Sequence, residues 1–323
     1  MSRSSSTKRS DSPAWVLFRD EGVRIGTASW TDKSLIDSGR FYPSEAKKPD
    51  ERLAFYAEHF PVVEVDSTYY GLPSRRNAEL WVERTPDDFV FNVKAFSLLT
   101  QHPSTARSLP KDLRELVPAE LVDKKRFYPR DLPQQIVDES WTRFLDALRP
   151  LQQASKLGAI LFQFPEWFPP SRENRAYVVE CGDRLEAALP GVAAAIEFRN
   201  ERWMSNEERQ TRTFALLEEH GLPYVCVDMP QGFTTSIPPV AAATAPLAMV
   251  RFHGRRQDTW GKRGVSVHDK FGYDYRREEL AEWEPRIETL ANDAREVHVL
   301  MNNCYEDYAV RSARSMTQLL LDV

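Results

Sequence analysis

The chain has 323 residues, 41% hydrophobic and 11% aromatic, which is ample for a large core, and α/β barrels reach this size as one unit. A net charge of −5 excludes a chain that attracts nucleic acid or acidic membranes as a whole, although local basic loops stay compatible with it. Three cysteines (Cys181, Cys226, Cys304), odd in number and without metal-type spacing, point to reduced thiols in a cytoplasmic protein, and no apolar run approaches the ~20 residues of a membrane span.

Residues 1–14 are rich in Ser, Arg and Lys and lack the apolar centre of a secretory signal, so a disordered tail is expected there. From residue 22 to 323 short apolar runs alternate with longer helical patterns. Strands are expected at Val23–Ala28, Val62–Asp66, Phe89–Lys94, Ala159–Phe164, Ala193–Phe198, Tyr224–Asp228, Ala248–His253 and Val297–Asn302. Helices are expected at Asp50–His59, Arg75–Arg84, Ser140–Lys156, Arg172–Ala188, Asn206–His220, Arg277–Ala294 and Asp307–Leu321. Alternating elements argue for parallel βαβ units, and eight of them argue for closure into a single-domain TIM-type (β/α)₈ barrel. An open doubly wound sheet is the alternative, disfavoured because no glycine-rich phosphate turn follows the first strand.

Links from helix to strand are tight, as at Phe60-Pro61 or Gly221-Leu222-Pro223, whereas the strand-to-helix links 95–139, 229–247 and 254–276 are long. In a barrel all strand-to-helix loops share the C-terminal mouth, so a polar pocket roofed by enlarged loops is expected at that end. The stretch 229–247 holds no convincing helix. The five prolines of 95–139 predict a stiffened cap with short helices.

Side chains alternate along a strand, so residues of one parity share a face. Glu64 and Asp66, Asn92 and Lys94, Glu197 and Arg199, and Arg251 and His253 form four such polar pairs opposite apolar sets that must face the helices. The polar sets therefore point into the barrel or its mouth, where unpaired charge is costly. Glu64 and Glu197 are the candidate general acid and base, with His253 placed to exchange a proton near neutral pH. Lys94, Arg199 and Arg251 are expected to hold an anionic group of a small organic substrate, with Asp66, Tyr69, Trp203 and Asn303 completing the binding set. Trp30, Tyr70 and Trp260 are further aromatic candidates at the mouth for stacking on sugars or bases, and Asp228 and Asn302 could join the polar ring. For each residue a structural reading competes: Glu64, Glu197 and the cations could be ion pairs that only close the barrel.

The histidines lack metal-type spacing and no metal residue is assigned. A carboxylate-bound Mg²⁺ or Mn²⁺ stays compatible with the acids, although no motif requires one, and no other cofactor signature is present. Acid–base or hydrolytic chemistry is the leading expectation. One alternative is nucleic-acid binding or processing through the basic loop tips Lys124, Lys125, Arg126, Arg255, Arg256, Lys262 and Arg263; another is ligand binding without catalysis. No membrane partner is expected, and no oligomeric state follows.

The blocks IGTASW (from Ile25), VEVDSTYYGLP (from Val63), FVFNVKAF (from Phe89), LGAILFQFP (from Leu157), AIEFRNERW (from Ala195), VRFHG (from Val250) and LMNNCYEDYAVRSA (from Leu300) resemble the YecE-like family, domain of unknown function 72. The resemblance covers nearly everything from Gly22 onwards and implies a TIM-type barrel, without an established reaction. Its signature residues fall at Glu64, Lys94, Glu197, Arg199, Arg251, His253 and Asn303.

Overall fold

A computed structural model describes residues 15–18, 21–262, 264–265 and 270–322. The expected tail at 1–14 and the loop residue Arg263 lie outside the described residues. A short strand β1 (Trp15–Phe18) pairs antiparallel with β2 (Glu21–Ala28). There follow β3 (Val62–Val65), β4 (Val90–Lys94), β5 (Leu157–Gln163), β6 (Ala193–Glu197), β7 (Val225–Asp228), β8 (Leu247–Phe252) and β9 (Glu296–Met301). Among the described residues β2 to β9 form eight parallel strands in the order β6-β5-β4-β3-β2-β9-β8-β7. The gap between β6 and β7 is spanned by a parallel bridge from Ile196 to Tyr224, with the Ile196 amide donating to Pro223 O at 2.8 Å. The result is a nearly closed (β/α)₈ barrel.

The helices lie where the 3.6-residue periodicity places them, with informative shifts. The helix expected from Ser140 starts at Gln134, because Pro133 caps its N-terminus without needing an amide donor. The expected single helix over 277–294 is two, Arg277–Ala281 and Glu284–Asp293; Pro285 in the first turn of the second favours a fresh start there. No helix occurs in the described stretch 229–246. The insertion 95–139 contains short helical turns at Ser97–Thr100, Ala106–Ser108, Lys111–Glu115, Ala119–Val122 and Pro129–Asp131. Pro110, Pro118 and Pro133 each cap a helix start, while buried Leu99, Leu113, Leu121 and Phe127 anchor the insertion to the body.

β2 and β3 share only two register pairs, Thr27 with Val63 and Ala28 with Glu64. Gly26 permits the close approach: a Cβ there would stand 2.0 Å from Val62 O. The Tyr56 hydroxyl supplements the thin ladder, accepting from the Thr27 amide (2.8 Å) and donating to Val62 O (3.1 Å). At the mouth end of β2, Ser29 adopts a left-handed backbone, φ 79°, with its amide held by Glu64 O at 2.8 Å. No described helix is long and apolar enough to cross a membrane.

Candidate functional site

The barrel interior carries a column of polar groups in three levels. At the N-terminal end Arg24 pairs with Glu296, and Asn92 meets His298 Nδ1 at about 3 Å. Above them Glu64 (β3), Arg251 (β8) and Glu197 (just at the end of β6) form one fully buried ionic network. Arg251 donates from Nε to Glu64 Oε2 (2.8 Å), from Nη2 to Glu64 Oε1 (2.6 Å) and from Nη1 to Glu197 Oε2 (2.5 Å). Two carboxylates thus surround one planar guanidinium whose fork matches them.

The third level opens to the mouth. Arg199 Nη2 stands 2.6 Å from Glu197 Oε1, an ionic contact without an aligned hydrogen bond, and donates to His253 Nε2 at 2.9 Å. The Asn302 amide meets His253 Nδ1 at 2.8 Å. Lys94 Nζ donates to Gln163 Oε1 (3.2 Å) and lies 4.8 Å over the Tyr69 ring. Every barrel strand sends at least one residue to the wall of a cavity of about 400 Å³. Asp32 follows β2; Asp66, Tyr69 and Tyr70 follow β3; Lys94 ends β4 and His102 follows it; Gln163 ends β5. Arg199 follows β6, Thr235 follows β7, Arg251 floors the cavity from β8 with Trp260 and Lys270 from its loop, and Asn302 and Cys304 follow β9. A second opening, about 530 Å³, lies at the N-terminal end. Its walls are tight helix-to-strand turns such as Gly191 and Gly221, and Glu296 there is taken up by Arg24 and His298. The mouth cavity is the one that gathers chemistry from all eight strands.

The electrostatics separate fixed from available groups. Burial alone would raise Glu197, but Arg199 and Arg251 outweigh it and hold the carboxyl well below the usual range. Burial, with Arg199 beside it, pushes His253 well below its ordinary value, so the ring is neutral at pH 7. That direction disfavours the expected exchange of a proton by His253 near neutrality. Asp66 is raised by burial and by Glu64. Lys94 is lowered to about 8, first by burial and then by Arg251. Both line the cavity, and among the described residues neither has an ion-pair partner within 4 Å.

Of the residues singled out by alternation, Glu64, Lys94, Glu197, Arg199, Arg251 and His253 come together, with Asp66 and Tyr69 on the adjoining wall. Three of the five N–H donors of Arg251 are taken by Glu64 and Glu197, so its charge is already matched within the network. Trp203 is fully buried away from the cavity, stacked on Phe198 (4.0 Å between centroids), with its Nε1 donating to Phe168 O at 2.7 Å. Its position in a 3₁₀ turn beyond β6 removes it from the strand alternation. Asn303 also leaves the site, donating to Tyr273 O (2.9 Å) and Ser312 Oγ (3.0 Å); its neighbour Asn302 keeps the inward parity. Trp30 turns under the loop to pack edge-on against Trp81 and Phe91. Asp228 faces outward and binds Arg255, Tyr275 and Trp283. Asp32, Trp167, Lys270 and Cys304 were missed. Their signal was position alone, on loops that follow strand ends. Among the described residues no group of three or more His, Cys, Asp or Glu side chains could hold a metal ion.

Residues 24–322 match the family model described as "Protein of unknown function DUF72". The chain belongs to the DUF72 family. The DUF72 chain is 31% identical over 304 residues to the UPF0759 protein YunF of Bacillus subtilis (strain 168), covering 92% of this chain and 94% of that one. Among solved structures, a DUF72 family protein of Enterococcus faecalis V583 aligns with a TM-score of 0.71 at 25% identity, over 93% of this chain and 95% of the other. One from Thermotoga maritima MSB8 aligns with a TM-score of 0.69 at 28% identity, over 93% and 99%.

Proposed function

We propose that the DUF72 mouth cavity binds a small anionic organic molecule and moves a proton on it, with Lys94 and Asp66 as the exchanging pair. The observation that carries this reading is Lys94: an amine lining the cavity, its donor shared with only a neutral amide and an aromatic face, in a cavity that also holds Asp66, a carboxyl raised by burial and by Glu64. An ammonium drawn out of water with no carboxylate within 4 Å gains most from an anion that completes its shell. Lys270 and Arg199 also line the cavity and would bind that anion with it. An amine lowered to about 8 and a carboxyl raised by burial, both touching the cavity, are the groups suited to proton transfer there.

Glu64 and Glu197 were the expected acid and base. In this reading they are positioning residues: they hold Arg251, and Glu197 also holds Arg199, which shapes the floor beneath the ligand. The nucleic-acid alternative loses support at its second basic loop, because Arg255 is engaged by Asp228 and Glu282 and Arg256 by Asp258.

The test is a thermal-shift panel of inorganic phosphate and small carboxylic acids on the parent chain and on Lys94→Met, alongside mass spectrometry of molecules that co-purify. An anion-dependent rise in melting temperature that is lost in Lys94→Met is the expected result. Equal shifts in both proteins would overturn the reading.

A further inference from the structure

Three cavities meet at the mouth around one side chain. The central cavity of about 400 Å³ is flanked by one of about 370 Å³, reached over Glu166, and by one of about 290 Å³, reached over Tyr69 and Tyr70; Trp167 borders all three. Trp167 is 48% exposed and Tyr70 64%, and with Tyr305 they make up the exposed large aromatics among the described residues, every one on a strand-to-helix loop. Isolated exposed apolar residues need no explanation, but Trp167 and Tyr70 both border the same central cavity. Trp167 is also held in place. Its Nε1 donates to Gln101 O (3.3 Å), and His102 and Tyr128 pack edge-on against it at 5.7 and 6.1 Å.

The polar groups of the two flanks differ from those of the centre. One flank offers Asn200, Thr234, Glu201 and Arg202; the other offers the hydroxyls of Ser104, Thr105 and Ser108 beside Arg126. These are partners for hydroxyl groups rather than for repeated charge. In the first flank Glu166 and Glu201 outnumber Arg202, so a phosphate there meets a net negative wall. A polyanion such as single-stranded nucleic acid could stack on the rings and meet Arg126 and the central cations, but in the first flank it would face two carboxylates against one described cation.

We propose that the ligand is an acidic oligosaccharide laid across the mouth, its acid group in the central cavity and its neutral sugar units against Trp167 and Tyr70 in the flanks. A sugar ring has an apolar C–H face for an aromatic ring and a rim of hydroxyls for amides, hydroxyls and carboxylates, the two kinds of surface that the flanks combine. This inference rests on the anion-binding reading of the central cavity and adds the length and class of the ligand.

Titration calorimetry on the full chain separates the two claims. The probes are glucuronate, a hyaluronan hexasaccharide in which acidic and neutral units alternate, cellohexaose and hexathymidylate, each at low and moderate salt. The hyaluronan hexasaccharide is expected to bind about tenfold tighter than the monosaccharide acid. Trp167→Ala should erase that gain, bringing the hexasaccharide down to the affinity of the monosaccharide acid in the same variant, whereas Lys94→Met should weaken both acids. If the monosaccharide acid binds through Lys94 but lengthening adds nothing, or if Trp167→Ala has no effect, the oligosaccharide inference fails and the anion site stands. If no acid binds, both fail. Tighter binding of hexathymidylate with a steep salt dependence would overturn the sugar assignment in favour of nucleic acid.

Discussion

Arg251 and Glu64, 187 residues apart in the chain, are joined across the barrel axis by two parallel hydrogen bonds of 2.8 and 2.6 Å, and both side chains are buried. Strand-end arginines in a barrel of this kind could have been ligand anchors. This one is also engaged by Glu197, whose Oε2 accepts from its Nη1 at 2.5 Å, so it ties two carboxylates from other strands.

Replacing Arg251 by Met should therefore act on stability first. It leaves Glu64 and Glu197 buried with their principal cation gone, a loss of about 3–5 kcal/mol. Urea denaturation of Arg251→Met against the parent measures it. A loss below 1 kcal/mol would show that the network relaxes or admits water instead.

Lys94 should give the opposite result. Its folded value, about 8, lies below the ordinary value of 10.5. Between these two values the unfolded chain binds more protons, so the charged amine penalises the folded state fully below pH 8 and the penalty fades as pH rises towards 10.5. Lys94→Met should thus melt at or above the parent at pH 7, with the difference shrinking by pH 10. Anion-induced stabilisation of the parent should decline as pH passes about 8. A pH-independent anion effect would contradict the assignment.

Trp203 should report on packing alone. Its ring is fully buried among Phe198 and Phe168, so Trp203→Ala should cost about 3–5 kcal/mol. Anion affinity, measured well below the lowered melting temperature, should stay within twofold of the parent. A selective loss of affinity with stability intact would return Trp203 to the site.

Gly26→Ala tests the seam between β2 and β3. The added methyl would meet Val62 O, a backbone atom that cannot swing away. Overpacking here should cost about 1–3 kcal/mol or more. Faster hydrogen exchange is expected at the Ser29 amide, which bonds across the seam to Glu64 O. An unchanged exchange rate there would mean that the Tyr56 hydroxyl bonds carry the seam without the ladder.

The residues themselves determined the barrel and the content of its interior. Alternation with period two put Glu64, Glu197 and Arg251 on inward faces, because the opposite positions, such as Val63, Val65, Ile196 and Val250, are apolar and had to meet the helices. Where the strands end, that rule ends: Asn303 and Trp203 lie past β9 and β6, and their loops turned them out of the cavity. Which cation each acid neutralises was decided only by the tertiary structure. Arg251 spans the barrel to two carboxylates from other strands, while Lys94, on an inward face by the same alternation, is left with Gln163 and the open cavity. Parity is a property of one strand, whereas an ion pair depends on distances between strands far apart in the chain, and barrel closure sets those distances.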